Sequence, residues 1–162
     1  MKYFIWLIGL VLLTAIGWAA YQYGPRSQVT ADKEEVLVFF VRPTQTDMEF
    51  VPVEREILKT DSFEGKVLAT LQEWVKGPTE TEKAAGVGSG LNAGTEVNSV
   101  ELANDVVIID FNETFDWQMG GSFRVLAIRG QIERIVQQFD LMQAYELKLT
   151  VGSGEREAVL EP

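Results

Sequence analysis

Hydrophobic and polar residues follow two kinds of period along this chain, and together they predict five strands and two helices after residue 34, with a short sixth strand as a possible addition at the end. The predicted strands are residues 35–41, 50–55, 96–102, 106–111, 147–151 and 158–160. Pro52 favours an edge position for the second strand, because proline has no N–H to donate to a sheet ladder. Asn104-Asp105 lies between the third and fourth strands and predicts a hairpin with a tight turn.

Two segments repeat apolar residues at helical spacing and therefore predict amphipathic helices. The apolar positions are Phe63, Val67, Leu68, Leu71, Trp74 and Val75 in the first segment and Val125, Ile128, Ile132, Ile135, Val136 and Phe139 in the second. Asp61, with Glu64 three residues later, indicates a capping box for the first helix, and Ser122 is the candidate cap of the second. Gly130 is expected to cost the second helix about 1 kcal/mol. Residues 79–93, polar and rich in glycine, are predicted to be a flexible loop.

The order of these elements predicts an α+β fold. In the sequence β-β-α-β-β-α-β, the two helices are expected to lie on one face of a largely antiparallel sheet, as a two-layer sandwich. With 162 residues, of which 46% are apolar, the chain can build one core. Residues 35–162 form the predicted domain, and residues 24–34, with turn formers and mixed charges, form a predicted linker.

The segment from Tyr3 to Tyr23 contains no charged residue and is long enough to cross a bilayer as a helix. Tyrosine and tryptophan residues lie near both of its ends, where the membrane–water interfaces would fall. We therefore predict that residues 1–23 form an N-terminal transmembrane helix. A cleaved signal peptide is the alternative, because small residues surround Trp18. Both interpretations place the domain outside the cytoplasm, and the first makes the chain a single-pass protein of the cell membrane.

Composition removes several classes of function. The chain has 24 acidic against 14 basic residues, a net charge of −10, which argues against a nucleic-acid partner because such a surface repels phosphates. It has no histidine and no cysteine, so Cys–His and Ser–His catalysis, disulfides and nearly all zinc, haem and iron–sulfur ligation are excluded. We therefore expect neither a cofactor nor a metal, and no calcium loop of the EF-hand spacing is present.

Several motifs resemble the GerMN domain of sporulation and spore germination proteins. They are Leu-Gln-Glu-Trp-Val-Lys-Gly-Pro-Thr at 71–79, Gly-Thr-Glu-Val at 94–97, Val-Ile-Ile-Asp-Phe-Asn at 107–112 followed by Phe115, and the segments 132–139 and 147–152. The chain departs from the family at Asn92-Ala93, where a proline often precedes the Gly-Thr. The resemblance implies an extracytoplasmic, membrane-tethered module without established enzymatic activity, similar in fold to ring-building domains of secretion-like complexes.

Asp110, Glu113, Asp116 and Trp117 are the candidate binding residues. A pair of carboxylates near aromatic residues is what a glycosidase needs, and an exposed tryptophan can stack on a sugar. The same acids directly after a strand also satisfy loose backbone groups in turns, which makes a structural role the favoured interpretation.

Taken with the resemblance, these observations favour a membrane-anchored, extracytoplasmic module without catalysis that acts in protein assembly or interaction at the bacterial cell envelope. Its expected partners are other envelope proteins or further copies of itself. The alternative is a peptidoglycan-binding or glycan-hydrolysing domain that uses the carboxylates between Asp110 and Asp116.

Overall fold

The computed structural model describes residues 32–139 and 146–159. In chain order the elements are β1 (Lys33–Pro43), β2 (Met48–Leu58), α1 (Phe63–Val75), α2 (Glu80–Ala84), β3 (Val97–Ala103), β4 (Val106–Phe111), α3 (Ser122–Gln137), β5 (Glu146–Val151) and β6 (Arg156–Glu157). The α+β class is thus confirmed. The strands form two sheets, one of β1 and β2 and one in the order β3-β4-β5-β6, rather than the single predicted sheet.

The first sheet is a long antiparallel hairpin in which β1 and β2 pair over their whole lengths. Pro52 lies opposite Phe39, and β2 has no other strand partner among the described residues, as its proline predicted. The free edge of β1 is occupied by other groups. The Gln138 amide bonds both the N–H and the carbonyl of Leu37, and Gly88 exchanges two backbone hydrogen bonds with Val41. These contacts occupy backbone hydrogen-bonding groups on the edge of β1 that is not paired with β2.

The second sheet is mixed, because two of its three strand pairings are antiparallel, as predicted, and one is parallel. β3 and β4 form the predicted hairpin, and its turn residues Asn104 and Asp105 have φ angles of 50° and 63°. β4 and β5 are parallel, because α3 connects them and returns the chain to the end of the sheet where β4 began. β6 pairs antiparallel with β5 through Arg156 and Glu157, slightly before the predicted last strand.

Both predicted helices are present, with small shifts at their starts. The N-cap of α1 is Ser62, whose hydroxyl accepts from the Gly65 N–H, so the cap lies one residue after Asp61. Ser122 is the first residue of α3, and its N-cap Gly121 offers no side-chain hydrogen bond. α2 interrupts the predicted loop. It has no buried residue and hence no apolar period, but Thr79 and Glu82 form a capping box.

The core lies where α1 and α3 meet the two sheets. α1 packs against β1, β2 and β3, while α3 packs against β1 and α1. The fully buried large residues include Trp74, Phe40, Phe111, Phe115, Leu71, Ile109, Ile128, Ile132 and Ile135. The polar side chain of Gln131 is fully buried among them, where it accepts from the Trp74 indole at 3.0 Å and donates to the Ser89 carbonyl at 2.9 Å. It therefore joins α1, α3 and the segment before β3.

Gly130 is needed for the packing of α3 on the hairpin. A Cβ atom at this position would lie 2.5 Å from Cζ and 2.9 Å from Cε1 of the Phe50 ring. The Arg134 guanidinium lies 3.6 Å from the centroid of the same ring, which limits how far the ring can move. The cost of glycine to the stability of the helix is thus offset by the close packing of β2 that it permits.

Gly130→Ala is expected to lower the free energy of unfolding by about 1–2 kcal/mol, because the added methyl group overpacks against Phe50. An exposed helical glycine replaced by alanine would instead gain about 1 kcal/mol. Urea denaturation of the variant checks the sign, and adding Phe50→Leu to the same chain should recover much of the loss. A variant more stable than the original protein would contradict the prediction.

Within residues 32–139 and 146–159, no helix combines the length and the hydropathy needed to cross a bilayer. The predicted transmembrane helix of residues 1–23 lies outside the described residues, as does most of the predicted linker. β1 begins at Lys33, two residues before the predicted start of the domain.

Candidate functional site

The Asp110 carboxylate is buried near the end of β4, and the protein supplies four hydrogen-bond donors to it. Oδ1 accepts from the Thr150 hydroxyl at 2.8 Å and the Gly154 N–H at 2.7 Å. Oδ2 accepts from the Asn98 amide at 2.7 Å and the Ser153 N–H at 3.1 Å. Asp110 therefore ties β4 to β3, to β5 and to the turn that follows β5.

Two local irregularities of the backbone bring these donors to Asp110. The pairing of β3 with β4 shifts between Val97 and Ser99, which leaves Asn98 as the extra residue of a bulge whose side chain reaches the carboxylate. Residues 152–154 all have positive φ angles and present two N–H groups to it. Burial acts to raise the pKa of Asp110, but the four donors outweigh it and the pKa lies below its usual value.

Asp116 is engaged in a similar way by β6. Its side chain is only 3% exposed, and Arg156 donates to both of its oxygens, with Nη2 at 3.0 Å from Oδ1. The Val159 N–H adds a third hydrogen bond at 2.9 Å. The guanidinium holds the pKa of Asp116 below its usual range, and the pair raises the pKa of Arg156 in turn. Asp116 thus fastens the loop after β4 to the end of the second sheet.

Glu113 and Trp117 differ from the two aspartates because both are exposed. Glu113 acts on Arg156 through charge, and its carboxylate has no hydrogen bond to another described residue. The Trp117 side chain is 64% exposed, although its carbonyl accepts from the Asn92 amide at 2.8 Å. Phe115, by contrast, is buried and stacks on Phe111 with ring centroids 4.0 Å apart.

The four candidate residues lie on one loop and the strand that leads into it. The two buried carboxylates, however, accept hydrogen bonds from other groups of the protein. A glycosidase needs one carboxylic acid and one carboxylate free to face the substrate. Asp110 has both oxygens doubly engaged, and Asp116 forms a two-bond pair with arginine. In the part of the chain that the structure describes, no three acidic residues are grouped so as to hold a metal ion. What the loop offers to an outside molecule is the Trp117 ring and the Glu113 charge.

A second candidate surface, missed in the sequence analysis, is the outer face of α3. Phe123 is 46% and Leu126 is 59% exposed. Phe123 borders a groove of about 440 Å³ that also contains Val41, Pro43, Val87 and Ala127. Leu126 borders another, of about 530 Å³, with Met48 and Phe50. We call Phe123, Leu126 and these two grooves the α3 surface. The sequence feature that could have predicted it is the presence of two apolar residues, three positions apart, on the polar side of the helix.

The three arginines of α3 have different surroundings. Arg124 donates to the Gly90 carbonyl and to the Asn92 side chain, both at 2.7 Å, and so orders the segment before β3. Arg134 lies on the Phe50 ring. Of the three, Arg129 alone is paired with an acid in the described part of the chain, with Glu133 at 2.9 Å. Arg124 and Arg134 thus have structural roles, and neither forms an ion pair within the described ranges.

Comparison with known proteins identifies the family. Residues 37–150 match the family model Germane, described as sporulation and spore germination. The fold is similar to that of the tandem GerMN domains of the sporulation protein GerM from Bacillus subtilis, with a TM-score of 0.57 and 16% identity over 82% of this chain. This chain spans 43% of that tandem structure.

A candidate lipoprotein from Clostridium perfringens is also similar in fold, with a TM-score of 0.50 and 16% identity over 78% of this chain and 80% of that one. No curated protein matches the sequence. Because the family model covers well over half of the residues, this chain belongs to the Germane family of sporulation and spore germination domains.

Proposed function

We propose that this protein is a single-pass, membrane-anchored module of the cell envelope that holds protein surfaces together during sporulation or germination. The observation that carries the proposal is the α3 surface, because a helix face open to water normally carries polar residues. Phe123 and Leu126 instead lie there, Phe123 beside a mainly apolar groove and Leu126 beside a groove that mixes apolar and charged residues. Exposed apolar patches of this kind are typical of protein interaction sites.

The membrane attachment in this proposal is supported by the uncharged segment from Tyr3 to Tyr23. Tethering to a membrane raises the effective concentration of a module around its partners, so a modest apolar surface is enough for assembly. Glycan hydrolysis gains no support from Asp110 and Asp116, whose oxygens are engaged by protein donors.

Complementation of a deletion strain tests this function through the efficiency of sporulation and germination. We expect Leu126→Asp to reduce the activity strongly, because it places a charge in the apolar contact. A version with a cleavable signal in place of residues 4–21 should fail as well, since the released domain is no longer concentrated at the membrane. Both proteins should accumulate at normal levels.

Glu113→Gln is the matched control in this experiment. The exposed carboxylate is the best remaining candidate for a catalytic acid, and the substitution removes its charge without changing its size. The assembly proposal expects full activity from this variant. If Glu113→Gln is inactive while the released domain is active, the assembly proposal is overturned in favour of an enzyme.

A further inference from the structure

Three alternating glycines keep open the groove that lies beside Phe123. Gly86, Gly88 and Gly90 all line it. A Cβ atom added at Gly86 or Gly88 would meet no heavy atom within 4 Å, so the space here exists because these residues have no side chains. The groove has a volume of about 440 Å³, which lies within the range of roughly 300–1,000 Å³ that small-ligand sites occupy. We call it the Phe123 groove.

The Phe123 groove offers few hydrogen bonds to a ligand. Its apolar lining consists of Val41, Pro43, Val87, Phe123 and Ala127. Gly88 exchanges two backbone hydrogen bonds with Val41, and the Gly90 carbonyl accepts from Arg124. Pro43 has no N–H to offer. An extended peptide or a sugar would therefore give up hydrogen bonds to water and find few replacements, whereas a hydrocarbon chain has none to lose.

The charged residues that line the Phe123 groove, Lys83 and Arg124, are both basic. Lys83 forms an ion pair with Glu80, but both side chains are exposed and the pair is weak. Arg124 donates to a backbone carbonyl and to the Asn92 side chain, neither of which carries a charge. Arg124 also lies in the first turn of α3, where the helix dipole favours an anion. The groove thus combines an apolar lining with positive charge, on a chain whose net charge is −10.

The groove beside Leu126 has a different character. It contains acids and bases together, namely Asp47, Glu133, Arg129 and Arg134. Apolar groups bordered by charges of both signs suit a protein partner, so this groove can carry the assembly contact proposed above. The described lining of the Phe123 groove contains no acid and favours a molecule that is apolar along its length and negatively charged at one end.

We infer that the Phe123 groove binds a single fatty acid, with its acyl chain against Val87, Phe123 and Ala127 and its carboxylate beside Lys83 and Arg124. Burial of the chain removes apolar surface from water without leaving a polar group unpaired. The carboxylate stays near the surface, where two cations attract it. A groove of this size holds one acyl chain rather than the two of a bilayer phospholipid. This ligand-binding function goes beyond assembly and does not depend on it.

Photolabelling of the full-length chain in phosphatidylcholine nanodiscs tests the inference. The probe is dodecanoic acid that carries a diazirine near its methyl end, and mass spectrometry locates the labels after irradiation. Within residues 32–139 and 146–159, we expect the labels to concentrate on Val87, Phe123 and Ala127. Excess dodecanoate should remove them. Excess dodecyltrimethylammonium, which has the same chain and a positive head, should not.

Two variants separate the chain contact from the charge contact. Gly88→Leu places a side chain in the groove at a position whose backbone does not need a positive φ angle, and it should reduce labelling about tenfold by filling the space. Lys83→Glu, an exposed change, should reduce it about fivefold by replacing an attractive charge with a repulsive one. Gly120→Leu is the matched control, because Gly120 is equally open but lies outside the lining of the groove, and it should label like the original protein. Circular dichroism checks that each variant is folded.

Labels spread over the domain, labels unchanged by Gly88→Leu, or equal competition by the two amphiphiles would each overturn the inference. Labelling of the groove only by a diazirine-bearing phosphatidylglycerol in the nanodisc would make the ligand a bilayer lipid and would also overturn it. If the groove takes no label while Phe123→Ser abolishes complementation, the groove binds a protein instead. Leu126→Asp should label normally even where it fails to complement, so the assembly function and the fatty-acid site can fail separately.

Discussion

Asp110→Asn is expected to lower the free energy of unfolding by about 3 kcal/mol, although it removes one charge and no side-chain volume. Each carboxylate oxygen of Asp110 accepts two hydrogen bonds. Asparagine keeps one acceptor oxygen and turns an NH₂ group toward donors, at least one of which is a backbone N–H that cannot reverse its role. Buried donors left without a partner cost about 1–3 kcal/mol each.

Urea denaturation at pH 7 measures this loss, with Glu113→Gln as the control on the same loop. Glu113 is exposed and has no hydrogen bond to lose within the described structure, so its variant should stay within about 0.5 kcal/mol of the original protein. A loss below that level for Asp110→Asn would mean that the four hydrogen bonds contribute little to the folded state.

The role of Asp110 could be predicted only in part. Its position at the end of the apolar run of β4 indicated a residue that satisfies loose backbone groups, but in that role asparagine would be an equally good acceptor. Two donors come from residues 153 and 154, more than 40 positions later, and a third from a bulge in the neighbouring strand. A local sequence pattern cannot predict contacts between residues so far apart in the chain.

The regular elements were the predictable part of the fold, because strands and helices that bury one face leave a period in the sequence. The same reasoning explains the failures. α2 buries no residue and so has no period. The parallel pairing of β4 with β5 depends on where α3 returns the chain, which propensity does not encode. Phe123 and Leu126 fall outside the apolar stripe of α3, and their spacing of three positions was the signal, not used in the prediction, that they are exposed together.

The ion pair of Arg55 with Glu82 is a second contact that the sequence does not reveal, and we expect it to make the domain sensitive to acid. Arg55 donates to both oxygens of Glu82 at 3.0 and 2.7 Å, and both side chains are about four-fifths buried. The arginine, helped by hydrogen bonds from Thr79, holds the pKa of Glu82 at about 2, against a usual value of 4.5. The pair joins β2 to the capping box of α2.

We expect the domain to lose stability steeply between about pH 5 and pH 2. A carboxylate whose pKa is lower in the folded than in the unfolded state stabilises the fold above the unfolded value, and this contribution disappears as the pH falls through the folded value. For Glu82 the gap between 4.5 and about 2 corresponds to up to about 3 kcal/mol. Asp110 and Asp116, whose pKa values are also lowered, add to the loss in the same direction.

Chemical denaturation at a series of pH values from 7 to 2.5 measures this slope, and two variants assign it. Glu82→Gln keeps the side-chain acceptor that the capping box needs but removes the charge, so it should be less stable at pH 7 and lose less on acidification. Glu80→Gln is the matched control: its pair with Lys83 is exposed, and its curve should follow that of the original protein. If the free energies of unfolding of Glu82→Gln and of the original protein decrease in parallel between pH 5 and pH 2.5, the acid sensitivity comes from other carboxylates. The Arg55–Glu82 pair then contributes nothing measurable to stability.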